Sequence, residues 1–450
     1  MREYVSDLLR RYGDDVPVFS HQHTVTHGRL REAVAGEAGL LAAAGVGEGS
    51  TVAVQVPPSF TRLEVVLALW TLGARVISLD PRFTPAERAV EHALARPQFV
   101  VRASGRSGGL FRERFELVTE RRADGVPALT RHRLVQFSSG STGTPKVIGR
   151  STESVVREVL RFASAEGMAR RGERMLLLNS MTASFGLLGG LLHALAEGVH
   201  LVFSAGQSAE EVQRAAARYQ VDLVTGVPVH FARLAAAPDR AALRTVRAAF
   251  AGAEPMPPEV AESFARGYGF TVGECFGTTE TGALTLDVAG TSRPSVGRPL
   301  SDTTLRVRDG LVEVALDESP YLHDDGVRRY ADGWLRTGDR GRFDARGGLV
   351  LLGRSDSLVV VRGSNVDLTE VEAVLRSHPL VAESIAVFDG VVEAYVSAGA
   401  DAPTEAEMIR WCTERLAEFK LPHRVHVLPV LPRTSGGKLV RNARVLAAAR

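Results

Sequence analysis

The feature that most restricts what this chain can fold into is a strand–helix–strand rhythm in its first hundred residues. TVAVQV (Thr51 to Val56) is a buried-strand pattern. RLEVVLALWTLGA (Arg62 to Ala74) has the length and closing glycine of a helix, and RVISLD (Arg75 to Asp80) is the next strand. A Pro-led helix, PAERAVEHALA, and the strand QFVV (Gln98 to Val101) follow. Such alternation predicts a mostly parallel sheet with helices on both faces. It recurs at Met175 to Phe203 and from Ala209 to Val227. The first of these is the most apolar stretch, but Asn179, His193, Glu197 and several glycines interrupt it. It reads as a buried helix followed by a strand, not a membrane span.

Arg102 to Arg133 is polar and weakly periodic and is expected to be a poorly packed connection. After Pro299 the texture changes. LRVRDGLVEVAL alternates about an Asp-Gly turn, as a hairpin does, and GRFDARGGLVLLGR adds short strands. A small α+β pattern runs from about Ser355 to the end, with strand VVVRG, helix TEVEAVLRSHP, strands SIAVFD and VVEAYVSA, helix EAEMIRWCTERLAE and strand RVHVL. The expected class is α/β. A large N-terminal domain, 1–353, carries mostly parallel sheets and an antiparallel β subdomain, and a small α+β domain spans 354–450.

The 54 Lys and Arg against 52 Asp and Glu leave a net charge of +2, which offers no electrostatic case for nucleic acid or an anionic membrane. Two distant cysteines, Cys275 and Cys412, argue against a disulfide scaffold or a cysteine metal site and suit a reducing cytoplasm. The opening MREYVSDLLRRYGDD has no apolar core, so no signal peptide is expected.

Only three of the 54 basic residues are lysines: Lys146, Lys420 and Lys438. Lys146 ends the loop of LVQFSSGSTGTPKVIGR, Leu134 to Arg150. A Gly/Ser/Thr loop after a strand is a candidate anion cradle, because glycines let backbone N–H groups approach and hydroxyls add donors. A Walker A loop needs Gly-Lys-Ser/Thr opening a helix; here Pro145 precedes the lysine and Val147 follows it. A flexible surface loop is the plainer alternative.

The loop is followed in order by ECFGTTETG (Glu274 to Gly282), VGRPL (Val296 to Leu300), GWLRTGD (Gly333 to Asp339), GRSDS (Gly353 to Ser357) and LPRTSGGKLVRN (Leu431 to Asn442). The set resembles the adenylate-forming superfamily of acyl- and aryl-CoA synthetases, peptide-synthetase adenylation domains and luciferases, over nearly the whole chain. The resemblance implies that a carboxylate attacks the α-phosphate of ATP, giving acyl-AMP and pyrophosphate, and that a thiol then displaces AMP. It implies that Ser138, Ser139, Gly140, Ser141, Thr142, Gly143, Thr144 and Lys146 cradle the β- and γ-phosphates. Glu280 is the expected Mg²⁺ carboxylate, and Thr278 and Thr279 are expected to line the α-phosphate and acyl pocket. Asp339 is expected on the ribose and Arg354 on the ribose or phosphate. Gly252, Ala253 and Glu254 are expected beside the adenine, and Phe276 is expected to stack on it. Lys438 is implied to bridge carboxylate and α-phosphate, and Asp356 to be the hinge about which the small domain rotates.

Two departures bear on the acceptor and the acid. Ser357 stands where the hinge motif has a second acid, and Val360 where it has a lysine. At MTASFG, peptide-synthetase domains for α-amino acids carry an aspartate, where this chain has Thr182, Ala183 and Ser184. The expected substrate is therefore a small carboxylic acid without a free α-amine, held in an apolar pocket of Ala183, Ser184, Phe185, Val227, Gly252, Cys275 and Gly277. Cys275 reads as a pocket-lining thiol, and His193, His200 and His230 as core or pocket histidines without metal spacing. Acid–CoA ligation leads. Loading of the phosphopantetheine of a carrier protein, or attack by an amine, stays open.

Overall fold

The computed structural model describes residues 1–450 except 82, 84, 105–110, 139–144, 239, 324–328, 362–363, 400, 417 and 435–436. It describes only the backbone of 86, 138, 356, 358, 360, 364, 365 and 419. The fold is α/β, with a large N-terminal domain of mixed sheets, an antiparallel β subdomain and a small C-terminal domain.

The strand–helix rhythm builds a six-stranded sheet in the order Leu117–Arg121, Phe99–Ala103, Thr51–Gln55, Arg75–Ser78, His132–Ser138, Lys146–Ser151. Its four inner strands are parallel and its edges antiparallel. Its repeat builds an eight-stranded sheet. In order, the strands are Gly282–Asp287, Val272–Thr278, Ala248–Gly252, Leu223–Gly226, Arg174–Leu177, His200–Val202, Pro17–Ser20 and Thr24–Thr26. Again only the two edges are antiparallel.

One apolar core joins residues of both sheets, with Val52, Val76 and Leu134 from the first and Phe19, Met175 and Phe250 from the second. The helix Phe60–Thr71 is buried from Phe60 to Trp70, which explains why its sequence is apolar nearly all round. Its Arg62 is buried as well, donating to Val56 O at 2.8 Å and Ser78 Oγ at 2.8 Å.

The antiparallel subdomain contains the expected hairpin, Leu305–Arg308 with Leu311–Ala315. Asp309 and Gly310 at its turn both have positive φ, 53° and 75°, as a two-residue primed turn requires. In the C-terminal domain a three-stranded sheet, Val381–Phe388, Val392–Ala398 and Arg424–Leu428, packs with the helices Leu368–Arg376 and Glu405–Thr413.

Three local expectations are corrected. The connection 102–133 supplies an edge strand, Leu117–Arg121, paired antiparallel with Phe99–Ala103. It carries no core signal because most of its side chains reach solvent. Met175–Phe203 opens with a strand, and its helix begins as a π-helix, Phe185–Leu192, a form that recurs at functional sites. A further strand, Ser364–Asp367, follows Leu358–Val361. Among the described residues, no helix is long and apolar enough to cross a membrane.

Candidate active site

Ligands of open α/β sheets bind beyond the carboxyl ends of the parallel strands. Here those ends are Gly226, Gly252 and Thr278. Thr278 leads into a tight turn back to Gly282, and Glu280 is in that turn. The turn is tied by Thr281, whose N–H donates to Thr278 O at 3.3 Å and whose Oγ1 accepts from Thr278 N–H at 3.3 Å. It is tied again from behind. Glu158, buried on the helix Thr152–Ser164, accepts from Ala283 N–H at 3.2 Å and pairs with buried Arg150 at 2.9 Å. Gly282 has φ +69°, and any β-carbon there would collide with the Glu158 carboxylate.

The phosphate-loop candidate joins two antiparallel strands, with Ser138 opposite Lys146. The loop leads into the strand Lys146–Ser151, where a Walker A loop opens a helix. Ser139, Gly140, Ser141, Thr142, Gly143 and Thr144, and the side chain of Ser138, lie outside the described residues. Lys146 is buried, its ammonium 5.3 Å from the centre of the Tyr321 ring. The Tyr321 hydroxyl donates to Glu280 Oε1 at 3.3 Å. A cation, a ring and a carboxylate are thus in series. Tyr321 was not singled out from sequence. It arrives through backbone pairing of its segment with Lys146–Ser151, Gly149 N to Pro320 O at 2.8 Å and Leu322 N to Val147 O at 3.0 Å.

Asp339 and Arg354 are cross-strand partners on Trp334–Phe343 and Leu349–Arg354, their charges 3.4 Å apart. Gly338, at φ +82°, leaves room for the Arg354 guanidinium, which would lie 3.0 Å from a β-carbon there.

Lys438 is presented by a tight turn. Thr434 N donates to Lys438 O at 2.7 Å, Gly437 N to Thr434 O at 3.0 Å, and Lys438 N to Thr434 Oγ1 at 3.2 Å. Gly437, at φ +83°, presses on Val227, 3.0 Å from where its β-carbon would be. The turn therefore reaches the eight-stranded sheet at the end of Leu223–Gly226. Enclosure by protein lowers the Lys438 ammonium below its ordinary pKa. Glu254, Glu280 and Asp339 oppose that shift and Arg354 adds to it. Lys438 is nonetheless exposed to solvent, which moderates that shift. Glu280, Asp339 and Arg354, widely separated in sequence, all lie within electrostatic reach of Lys438.

Three of the residues expected to line an acid pocket meet. The Phe185 ring stacks on Phe162 at 5.9 Å with an interplanar angle of 8° and lies 5.6 Å from Phe250. A β-carbon at Gly252 would be 2.5 Å from the Phe185 ring and 3.3 Å from Cys275 O, so these three meet. Burial pushes the Cys275 thiol up, out of nucleophilic range. Ala183 is exposed. Ser184 is a correction: its hydroxyl turns inward to Gln136 Oε1, whose Nε2 donates to Thr182 O at 2.7 Å. Phe276 packs with Leu284, Val296 and Val312 in the core shared with the antiparallel subdomain. Strand alternation puts Cys275 and Gly277 on one face and Phe276 on the other. Glu254 does not face only a ligand: its Oε1 accepts from Leu439 N–H at 2.9 Å.

A metal held by one carboxylate and substrate phosphates suits Glu280, which stands part-exposed at a turn; among the described residues no three metal-binding side chains cluster. Burial holds His193 and His200 down to about 4 and His230 to about 3, so all three are neutral structural imidazoles. Their partners are Ala169 O, Ser20 Oγ and Val227 N.

Two domains with a lysine turn from the smaller one entering a cleft at the strand ends of the larger form the architecture of an adenylate-forming enzyme. The chain belongs to the AMP-binding enzyme family, which matches residues 6–319; the AMP-binding enzyme C-terminal domain matches 370–438. It is similar to the 2-succinylbenzoate–CoA ligase of Bacillus licheniformis, 27% identical over 95% of this chain and 96% of that protein. It is also similar to the sulfoacetate–CoA ligase of Cupriavidus necator, 29% identical over 93% and 92%. The solved o-succinylbenzoate CoA synthetase of Bacillus subtilis, in complex with its acyl-adenylate intermediate, matches with a TM-score of 0.81. It is 25% identical, over 98% of this chain and 97% of that one.

Proposed function

We propose that the chain is an AMP-forming acid–CoA ligase acting on a small carboxylic acid that lacks a free α-amine. A carboxylate oxygen attacks the α-phosphorus of ATP and pyrophosphate leaves. The thiol of CoA, losing its proton, then attacks the acyl carbon and AMP leaves. The observation that supports this reading is the contact of the Lys438 turn with the large domain's strand ends, Gly437 against Val227 and Leu439 N–H on Glu254 Oε1, with Glu280, Asp339 and Arg354 within electrostatic reach of the lysine. Bringing an anion to a polyanionic nucleotide is opposed mainly by charge repulsion, and fixed cations remove that opposition. Lys438 serves the carboxylate and α-phosphate, and Lys146 the outer phosphates. Asp339 accepts from the ribose hydroxyls and Arg354 orients Asp339. Mg²⁺ would supply charge neutralisation on the phosphates from Glu280. The boundary at 353/354, with Asp356 as pivot, belongs to the same reading: Ser355–Ser357 is a single 3₁₀ turn between the strands Leu349–Arg354 and Leu358–Val361.

Kinship with CoA ligases favours CoA as the acceptor. The pocket wall of Phe185, Gly252 and Cys275 is apolar, and Thr182, Ala183 and Ser184 add no carboxylate for an ammonium. The test is pyrophosphate release with ATP and Mg²⁺ over a panel of aryl, aliphatic and amino acids, with and without CoA. Multiple turnover with one acid class only when CoA is present supports the ligase. Pyrophosphate release indifferent to CoA moves the acceptor to a carrier protein or an amine. No release with any acid overturns the reading.

A further inference from the structure

The turn that presents Lys438 is short and contains a left-handed glycine, so by itself it would not hold an ammonium to the fraction of an ångström that positioning catalysis needs. Something must hold it, and three contacts converge on one side chain. The Arg433 guanidinium donates to Gly437 O, across the turn. It pairs with Glu383 on the strand Val381–Phe388, which anchors the turn to its own domain. It also reaches Glu254 of the large domain at 3.6 Å, and the same Glu254 accepts from Leu439 N–H, immediately after the lysine. The residue before Glu254, Ala253, has φ +76°, a left-handed backbone that disfavours a residue with a β-carbon. A planar five-donor fork can serve three acceptors at once where an ammonium cannot hold the same geometry.

We propose that Arg433 is a positioning residue for adenylation, clamping the Lys438 turn within the small domain and locking it to Glu254 across the cleft. The proposal rests on the reading of Lys438 as the adenylating lysine. The Glu383 and Gly437 arms travel with the small domain. The Glu254 arm exists only while the lysine is seated, so the lock acts on the first half-reaction and is released for the second.

The test measures the half-reactions separately: pyrophosphate formation from ATP and acid, and thioester formation from supplied acyl-AMP and CoA. Arg433→Ala is expected to slow the first by about tenfold or more and to leave the second within about twofold. Arg433→Lys, which keeps charge and bulk, recovers only part of the first. Adding Glu254→Gln to Arg433→Ala costs little more adenylation than Arg433→Ala alone, because the two act through one contact. Parallel loss of both half-reactions, or fully multiplicative effects of Arg433 and Glu254 variants, overturns the proposal. Lys438→Ala is run beside them. If it leaves adenylation intact, the underlying reading of the lysine fails. If it abolishes adenylation while Arg433→Ala does not slow it, the clamp alone fails.

Discussion

Glu158 sits behind the turn that carries Glu280, and replacing it with alanine tests whether that turn is held from the core. Arg150 and Glu158 are both almost completely buried, 2% and 1% exposed, and pair at 2.9 Å. Removing the carboxylate leaves the guanidinium without its counter-charge, retaining Ser154 Oγ and Ser154 O as partners, and strips the acceptor from Ala283 N–H. Breaking such a pair from one side costs about 3–5 kcal/mol. Glu158→Ala is therefore expected to lose that much in urea unfolding, and to need more Mg²⁺ for half-maximal pyrophosphate release because the turn no longer holds Glu280. Arg150→Met with Glu158→Gln removes the orphaned charge while keeping an acceptor for Ala283, and should regain most of the stability. A loss below about 1 kcal/mol in Glu158→Ala, or a double variant no better than the single, would show that the pair does not fasten this turn.

Two other changes separate the pocket from the scaffold. Gly252→Ala drives a methyl into the Phe185 ring; overpacking of about 1–3 kcal/mol predicts a rise in KM for the acid of about five- to a hundredfold, and an unchanged KM would remove Gly252 from the pocket wall. Glu91 is buried, and burial, then the Asp80 and Glu87 carboxylates, push its pKa up from 4.5 to about 8. Because the folded value is the higher, its contribution to stability is full below the unfolded pKa and is lost as pH rises through 8. Glu91→Gln should leave the urea midpoint near about pH 4 unchanged and raise it above about pH 8; equal shifts at both would contradict the buried proton.

What could be read in advance followed the locality of each signal. The alternation around Thr51–Val101 and the Asp309-Gly310 turn are written in neighbouring residues, and both appear where expected. Short strings such as ECFGTTETG keep their residues together because they are local, here a strand end and its turn back to Gly282. Tyr321 has no such string; only its pairing with the Lys146 strand brings it to Glu280. The Arg150–Glu158 pair joins a strand to a helix, and nothing in VIGRSTESVVRE marks both residues as buried. Alternation along Val272–Thr278 puts Phe276 on the opposite face from Cys275, among Leu284, Val296 and Val312, a packing the motif alone does not show. The Gln136 acceptor that turns Ser184 inward lies on the six-stranded sheet, so MTASFG alone does not show it.

The central claim is that a lysine from the small domain makes the acyl-adenylate. The most direct measurement is Lys438→Ala in the two half-reactions, with wild-type-like unfolding as the control for folding. Pyrophosphate formation is expected to fall by about a hundredfold or more, with thioester formation from supplied acyl-AMP and CoA retained within a few fold. Equal loss of both half-reactions, or adenylation that survives, would contradict it.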